Sequence, residues 1–462
     1  MRSGLLTSAM CVLIPLVAVA QPGWEKDYGG TGYDYGRSVH QTTDTGYVVA
    51  GYTSSFGNGC QVYLIKTDAC GDTLWTRTYG GAGDDRGYSV QQTSDRGYIV
   101  AGYTSSFGNG YQVYLIKTDV SGDTLWTRTY GGNGDDRGCS VQQTADTGYV
   151  IAGYSNSFGN CCQVYLVRAD SSGETLWTET YGGPGDDFGN SVEQTLDEGF
   201  AIAGELGISL TESWIYLIKT NDSGETLWSL TYRGAFSYSA GNSVQQTIDT
   251  GYIVSGESYD PLASEVTTYL IKTNAFGDTL WVGSPGGGSG QCVRQTLDGG
   301  YVMAGTTYRG MPRPIACLAK TNASGDELWH REYGGPPDRY LFSVQQTTDT
   351  GYVAAGVTSS SGDGWQVYLV KTGEDGRVEV EETPNAGVRT TNAATVVRGV
   401  LWLAPASSPK PQASSLLDAA GRQVLDLRPG PNDVRHLVPG VYFARRATGE
   451  GRVANSKVIV TR

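Results

Sequence analysis

Tryptophan falls at an almost fixed interval along this chain. Trp24, Trp75, Trp126, Trp177 and Trp228 are 51 residues apart, Trp281 follows after 53, Trp329 after 48, and Val380 takes the same slot 51 residues later. A period of this size marks propellers and solenoids, whose units bury their apolar faces only by stacking on neighbours. Each unit reads alike. In residues 89–126, Ser-Val-Gln-Gln-Thr leads through a turn to Gly-Tyr-Ile-Val-Ala-Gly-Tyr-Thr. A Gly-rich loop, Val-Tyr-Leu-Ile-Lys-Thr-Asp, a second turn and Asp-Thr-Leu-Trp follow. That is four short strands of β-branched and aromatic residues, separated by Gly, Asp, Ser and Asn.

Seven such units predict an all-β chain, a seven-bladed β-propeller of four-stranded blades over residues 21–382, because a ring covers each sheet on both faces and leaves few open edges. The chain ends supply two candidates for the last outer strand. Trp24–Gly29 is a fourth strand with no third strand before it, and Arg377–Glu382 is the seventh unit's own. Trp24 is expected to close the ring, since it keeps the Trp that Val380 lacks, and a Trp packed between blades buries roughly 150–250 Å².

Composition agrees with this reading. Gly accounts for 66 of 462 residues and charged residues for only 17%, which removes the Ala/Glu/Lys/Leu stock of an all-helical protein. The formal charge of −14 disfavours a nucleic-acid partner, which needs clustered Lys and Arg. Between the first and second strands every unit carries Thr-x-Asp-x-Gly, with Asp44, Asp95, Asp146, Asp197, Asp249, Asp298 and Asp349. These carboxylates are read as turn formers, the Asp bonding backbone two residues on and the Gly taking positive φ. The series Lys66, Lys117, Arg168, Lys219, Lys272, Lys320 and Lys371 is read as a solvated or snorkelling end of the third strand.

Both ends carry an address. Arg2, the apolar run Leu5–Val19 and Ala18-Val19-Ala20 before Gln21 read as a signal peptide, residues 1–20. No later segment is long and apolar enough to span a membrane as a helix. Seven cysteines remain after cleavage, an odd number at positions that sister units fill with other residues, so no disulfide framework is expected. After a polar linker, 383–391, the idiom changes, and residues 392–462 predict a small antiparallel β-sandwich. Its strands are expected at Thr395–Leu403, Ser414–Asp418, Gln423–Leu427, Val434–Leu437, Gly440–Arg445 and Ala454–Val460.

Two resemblances follow from these residues. The Gly four positions before each Trp, with Asp68, Asp119 and Asp170 seven before it, resembles the tryptophan-docking repeat of quinoprotein-type propellers. In that family the Trp locks adjacent blades, which implies a blade-docking role for Trp24, Trp75, Trp126, Trp177, Trp228, Trp281 and Trp329. That family's Asp stands one position earlier, and a basic residue follows the Gly where this chain has Asp72, Asp123 or Glu174; no quinone or calcium motif accompanies the repeat. The run Leu417-Asp418-Ala419-Ala420-Gly421-Arg422, then Pro439-Gly440-Val441-Tyr442-Phe443 and the terminal Lys457-Val458-Ile459-Val460, resembles the type A C-terminal sorting domain of the type IX secretion system. Asp418, Gly421, Arg422, Gly440, Tyr442 and Lys457 carry that likeness. It implies a translocon partner, passage across the outer membrane and a secreted or surface-attached product.

The search for chemistry is mostly negative. No nucleophile elbow, P-loop, zinc or dinucleotide motif occurs, and with only His40, His330 and His436 a zinc site is not expected. No cofactor and no catalytic residue are predicted, and the chain is read as a non-enzyme. The long fourth-to-first and second-to-third connections share one face. There Asp34, Asp84, Asp85, Asp135, Asp136, Asp186 and Asp187 gather with Phe56, Phe107, Phe158, Asn58, Asn109 and Asn160. Carboxylates, amides and aromatics suit a calcium ion or a sugar, whereas Gly-Asp-Asp capping of backbone amides would make the carboxylates structural. The resulting expectation is a secreted propeller that binds a glycan, surface polymer or protein through equal, avidity-gaining sites. The alternative is an extracellular carbohydrate-active enzyme, glycosidase or lyase, which requires one blade's loops to depart from the rest. Units five to seven depart at Tyr232–Asn242, Glu257–Thr267, Gly283–Gly290 and Tyr308–Pro314.

Overall fold

The computed structural model describes residues 23–378 apart from 160, 210, 261–264, 308–312, 335–337 and 360–363. Beyond them it describes 395–397, 400–403, 414–417, 422–428, 430–434, 437–438, 440–447 and 453–460. The signal segment and linker, and with them Asn160, Asp418 and Gly421, lie outside the described residues. Contacts group the chain into two units that meet near residue 380.

In the first unit, seven four-stranded antiparallel sheets follow one another, the first six ordered from the channel outward as the chain runs. Blade 1 is Asp34–Gln41, Tyr47–Thr53, Gln61–Thr67 and Thr73–Tyr79, and blades 2 to 6 start at Asp85, Asp136, Phe188, Tyr238 and Ser289. Blade 7 takes Arg339–Gln346, Tyr352–Thr358 and Gln366–Thr372 from the end of the repeat and Trp24–Tyr28 from its start, with Trp24 opposite Lys371 and Tyr28 opposite Val367. Arg377 and Val378 are not in a strand, and 379–382 lie outside the described residues. The edge for which they competed is taken.

The Trp period is a docking period. Each outer-strand Trp lies on the hairpin Gly of the next blade: a Cβ on Gly71 would lie 2.7 Å from the Trp24 ring, and Trp75, Trp126, Trp177, Trp228, Trp281 and Trp329 cover Gly122, Gly173, Gly224, Gly277, Gly325 and Gly376. The same rings meet the next blade's second strand edge-on, Trp24 on Tyr47 and Trp75 on Tyr98, both at 5.7 Å. Four residues on, Tyr28, Tyr79 and Tyr130 donate their hydroxyls to the carbonyls of those glycines. One side chain packs and the other bonds, so each outer strand is fixed at two points.

Ser-Val-Gln-Gln-Thr does the same work around the axis. The first Gln accepts from the next blade's backbone, as Gln91 does from Gln143 N at 2.7 Å and Gln345 from Gln41 N at 2.7 Å. The second accepts from the preceding blade's turn, as Gln92 does from Thr43 N at 2.8 Å and Gln41 from Thr348 N at 2.9 Å. Blades 7 and 1 are thus stitched as the others are.

Two details differ from expectation. In the first hairpin the positive-φ residue is the one before the Gly: Thr45, Arg96, Thr147, Glu198, Thr250 and Thr350 all lie between 66° and 72°. The Gly that follows is needed for closeness instead, since a Cβ on Gly46 would lie 2.2 Å from Thr67 O and 2.6 Å from Lys66 Nζ. The basic series is not solvated. Lys66 is 3% exposed and pairs with turn Asp44 at 2.9 Å, and the pairing repeats in every blade up to Lys371–Asp349 at 3.0 Å. Sequence reading separated two groups that the third strand brings together.

The second unit is a five-stranded sheet, ordered Thr395–Val397, Val453–Val460, Gly440–Ala447, Ser414–Leu417, Gln423–Leu427, with a separate pair Val400–Leu403 and Gly430–Asp433. Leu416, Leu427, Val434 and Tyr442 form its core. It is not wholly antiparallel, because Thr395–Val397 runs parallel to Val458–Val460. The strand expected at Val434–Leu437 is Gly430–Asp433 instead; Val434 is a buried core residue whose carbonyl closes a turn to Leu437 N. Arg422 is exposed, Gly440 opens its strand, Lys457 lies opposite Phe443, and the Tyr442 hydroxyl donates to Val438 O at 2.7 Å.

Candidate functional site

The second Asp of each Gly-Asp-Asp is a brace. Asp34, Asp85, Asp136 and Asp187 are fully buried at or beside the start of the inner strand. Asp85 Oδ2 accepts Gly81 N at 2.8 Å and Ser106 Oγ at 2.6 Å, while Oδ1 accepts the Thr104 hydroxyl. Asp34 and Asp136 repeat the pattern, and Asp187 accepts Gly183 N and Gly207 N. With their oxygens spent on the loops, these four are not available to a ligand, which corrects their place among the candidate binding residues. The Ser of Ser-Phe-Gly-Asn is the partner of this brace, which accounts for that motif.

The first Asp behaves differently. Asp135 and Asp186 are exposed, each accepting one backbone N–H, from Tyr111 at 3.1 Å and Cys162 at 2.9 Å, while Asp84 is half-buried. Phe56, Phe107 and Phe158 are 41–51% exposed, and Asn58 and Asn109 stand beside them on the rim. They are repeated blade by blade and do not converge. Among the described residues no three His, Cys, Asp or Glu side chains are grouped to hold a metal.

The side chains that do converge were missed by the sequence reading. At the channel mouth on the loop face, blades 4 to 7 line a cavity of about 760 Å³ with Glu205, Glu257, Tyr238, Tyr259, Tyr340 and Phe342, and with Ser213, Ser239 and Gln291 among its polar groups. Glu205 lies opposite Phe188 and Glu257 opposite Ala240, the register that gives Tyr52 opposite Tyr35 and Tyr103 opposite Arg86 in blades 1 and 2. The change from Ala-Gly-Tyr to Ala-Gly-Glu and Ser-Gly-Glu was visible in the sequence as a substitution. Nothing there said that the slot faces the axis.

Burial pushes the Glu257 carboxyl above its ordinary range, and the neighbouring Glu205 charge adds to this. Burial raises Glu205 as well, a hydrogen bond with Ser213 opposing it and Asp187 and Asp186 reinforcing it. Gln291 Nε2 donates to Glu257 at 3.3 Å. The opposite arc of the mouth is cationic and aromatic. The Arg37 guanidinium lies 4.3 Å from the Phe342 ring centre and 5.4 Å from Tyr88, Arg86 lies 4.7 Å from Tyr52, and Arg137 lies 4.6 Å from Tyr103. Such stacking holds charge in place, and Arg86 also pairs with the Asp84 carboxylate at 4.0 Å. Glu205 and Glu257 thus stand on blades 4 and 5, and the stacked guanidinium groups on blades 1 to 3.

No known protein family matches the chain, and no curated protein does. Among solved structures it is similar to the extracellular domain of a B. thetaiotaomicron protein assigned to a hybrid two component system, at 9% identity and TM-score 0.43, over 93% of this chain and 56% of that one. It is also similar to a protein of unknown function from Dyadobacter fermentans, at 12% identity and TM-score 0.45, over 78% and 99% of the two chains. A puromycin hydrolase S511A mutant complexed with PGG matches at 11% identity and TM-score 0.45, over 91% of this chain and 57% of that one. The chain spans little more than half of the first and last of these, and at such scores no function passes from them to this chain.

Proposed function

We propose that this chain is an exported, non-enzymatic binding module whose propeller holds a glycan or surface polymer at the channel mouth of blades 4 to 7. The observation that carries the reading is the cavity itself, formed where the repeat breaks and lined by aromatic faces and by carboxyl, hydroxyl and amide groups. Sugar rings stack on Tyr and Phe, and their hydroxyls exchange hydrogen bonds with Glu205, Glu257 and Gln291. The exposed rim of Asp135, Asp186, Phe56 and Phe107, with half-buried Asp84, then offers repeated secondary contacts along a polymer.

A glycan array probed with the full mature chain is expected to give binders. Glu257→Ala or Tyr259→Ala should weaken them at least roughly tenfold, since a hydrogen bond to a charged group is worth about 1.5–3 kcal/mol. One observation favours the second reading, carbohydrate cleavage: two carboxyls with raised pKa share this pocket. The same binders are therefore incubated with enzyme and assayed for new reducing ends. Turnover that Glu257→Gln abolishes would replace binding with catalysis, and an array without binders would remove the site.

The address is proposed from the two chain ends. Residues 1–20 would direct export to the periplasm, and residues 392–462 would engage a type IX-like translocon as partner. Cells expressing a chain cut after residue 391 should retain the propeller in the periplasm; finding it on the cell surface would reject the sorting role.

A further inference from the structure

At the other end of the axis, beneath the first hairpins, the inner strands enclose a second cavity of about 910 Å³. One position of Ser-Val-Gln-Gln-Thr supplies a ring around it: His40, Gln91, Gln142, Glu193, Gln245, Arg294 and Gln345. The orientation of the four amides is fixed by their neighbours. Gln91 and Gln345 accept backbone N–H groups at 2.7 Å, Gln142 accepts Gln194 N at 2.5 Å and Gln245 accepts Gln295 N at 2.6 Å. Turning any of these amides over would set two donors against each other. Each of these oxygens is thus taken by a neighbouring backbone N–H, and the NH2 group is the part of each lining amide left to meet a ligand in the chamber.

Arg294 adds a guanidinium to the same ring, bonded by one nitrogen to Ser243 Oγ at 3.1 Å and Val293 O at 2.7 Å. The single acidic member is Glu193, one of whose oxygens accepts Gln246 N at 2.5 Å. A ring of convergent N–H donors with one fixed positive charge is the reverse of a cation site, where oxygens would face inward.

We propose that this chamber is a binding site for one small monovalent anion, a halide or a carboxylate, held on the axis by the NH2 groups of Gln91, Gln142, Gln245 and Gln345 and by Arg294. Glu193 controls its occupancy. Its carboxyl is pushed up to about 7 by burial, against the pull of the Gln246 N–H and Arg294, so it is neutral in mild acid and charged in mild alkali. The other titratable groups lining the chamber are Arg294, Arg96 at a hairpin tip, and His40, which burial, and to a smaller extent Arg294, draw below the usual histidine range against a backbone hydrogen bond at Gln41. An ionised Glu193 repels an axial anion. With a pKa of about 7, anion affinity should fall roughly tenfold between pH 6 and pH 8.

Sodium bromide is the probe, titrated calorimetrically into the full chain and soaked into crystals at pH 6. The expected result is one anomalous peak on the axis among Gln91, Gln142 and Arg294, with affinity roughly tenfold weaker at pH 8. Glu193→Gln, which installs the residue that four sister blades carry, should keep the fold and erase the pH dependence, leaving pH 8 binding at the pH 6 level. Arg294→Gln should remove the peak at equal bromide. Displacement of the peak by acetate would assign the site to carboxylates, and its persistence would assign it to halides. A chamber without a peak at pH 6 in both the natural chain and Glu193→Gln, or a peak indifferent to Arg294→Gln, overturns the proposal. This outcome is separate from the glycan reading, whose pocket lies at the opposite mouth.

Discussion

A mature chain shortened to begin at Gly29 should melt at least roughly 7 °C below the full chain. The deletion removes Trp24–Tyr28, which completes blade 7 by pairing from Trp24–Lys371 to Tyr28–Val367. It also strips the Trp24 ring from Gly71 and the Tyr28 hydroxyl from Gly71 O. Losing Trp24, which is partly buried against blade 1, costs up to about 3–5 kcal/mol and each lost hydrogen bond about 1 kcal/mol. A sum of at least 5 kcal/mol corresponds to roughly 7 °C or more at about 1.4 °C per kcal/mol for a ring of about 350 residues. The pairing of blades 7 and 1 through Gln345, Gln41 and Ser343 survives the cut, so a destabilised ring is expected and not an unfolded chain. Scanning calorimetry measures the shift; a melting temperature within 2 °C would show that the strand closes nothing. A peptide of residues 21–30 added in trans should recover part of the loss, because it binds only the folded edge.

The second large effect is expected at Asp349. The seven Lys/Arg–Asp pairs are alike in geometry but differ in what surrounds the carboxylate. The Asp44 carboxylate is 57% exposed beside Lys66, whereas Asp349 is 8% exposed beside Lys371, itself 1% exposed. Removing one partner of a buried pair leaves the other charge uncompensated, a cost of about 3–5 kcal/mol, whereas water can take the place of an exposed carboxylate. Asp349→Ala should therefore lower the denaturation midpoint far more than Asp44→Ala, which we expect to cost about 1–2 kcal/mol through its lost turn bonds to Thr42 and Gly46. Burial already draws the Lys371 pKa below its usual value, the hydrogen bond and charge of Asp349 opposing this. Without Asp349 the ammonium loses what holds it charged, and the variant should recover stability as pH rises toward 10, where the lysine becomes neutral in the fold before it does so in the unfolded chain. Equal losses at Asp44 and Asp349 in urea titrations would mean that exposure does not govern these pairs.

The architecture was legible because its determinants are local and repeated. The Trp interval, the Asp turns and the strand idiom each recur in every unit, and neighbouring copies must satisfy one another. What was hidden lies between units. That Lys66 folds back on Asp44, that Gln41 reaches Thr348, and that the second Asp of each pair is walled in by Ser and Thr of the following loop are relations of register, which a string does not display. The mouth cavity was hidden for a related reason. Glu205 and Glu257 fill a slot that holds Tyr in the first three blades and Thr306 or Val357 in the last two, and only the pairing of Phe188 with Glu205 and Ala240 with Glu257 puts them on the axis. Repetition taught the scaffold, while the candidate site sits where repetition fails. The C-terminal sheet was read less well, since its strands are short and the parallel partnership of Thr395–Val397 leaves no pattern in the residues.

The latch formed by Trp24–Tyr28 has a temporal meaning. Its partner strand Gln366–Thr372 is the last of the repeat to leave the ribosome or any secretion pore, so the earliest-made segment must wait, unpaired, for the latest. Until then blade 7 lacks its rim and Trp24 has no assembled wheel to grip. The ring accordingly locks only after the final repeat has emerged, and its closing contact is among the longest-range in the chain.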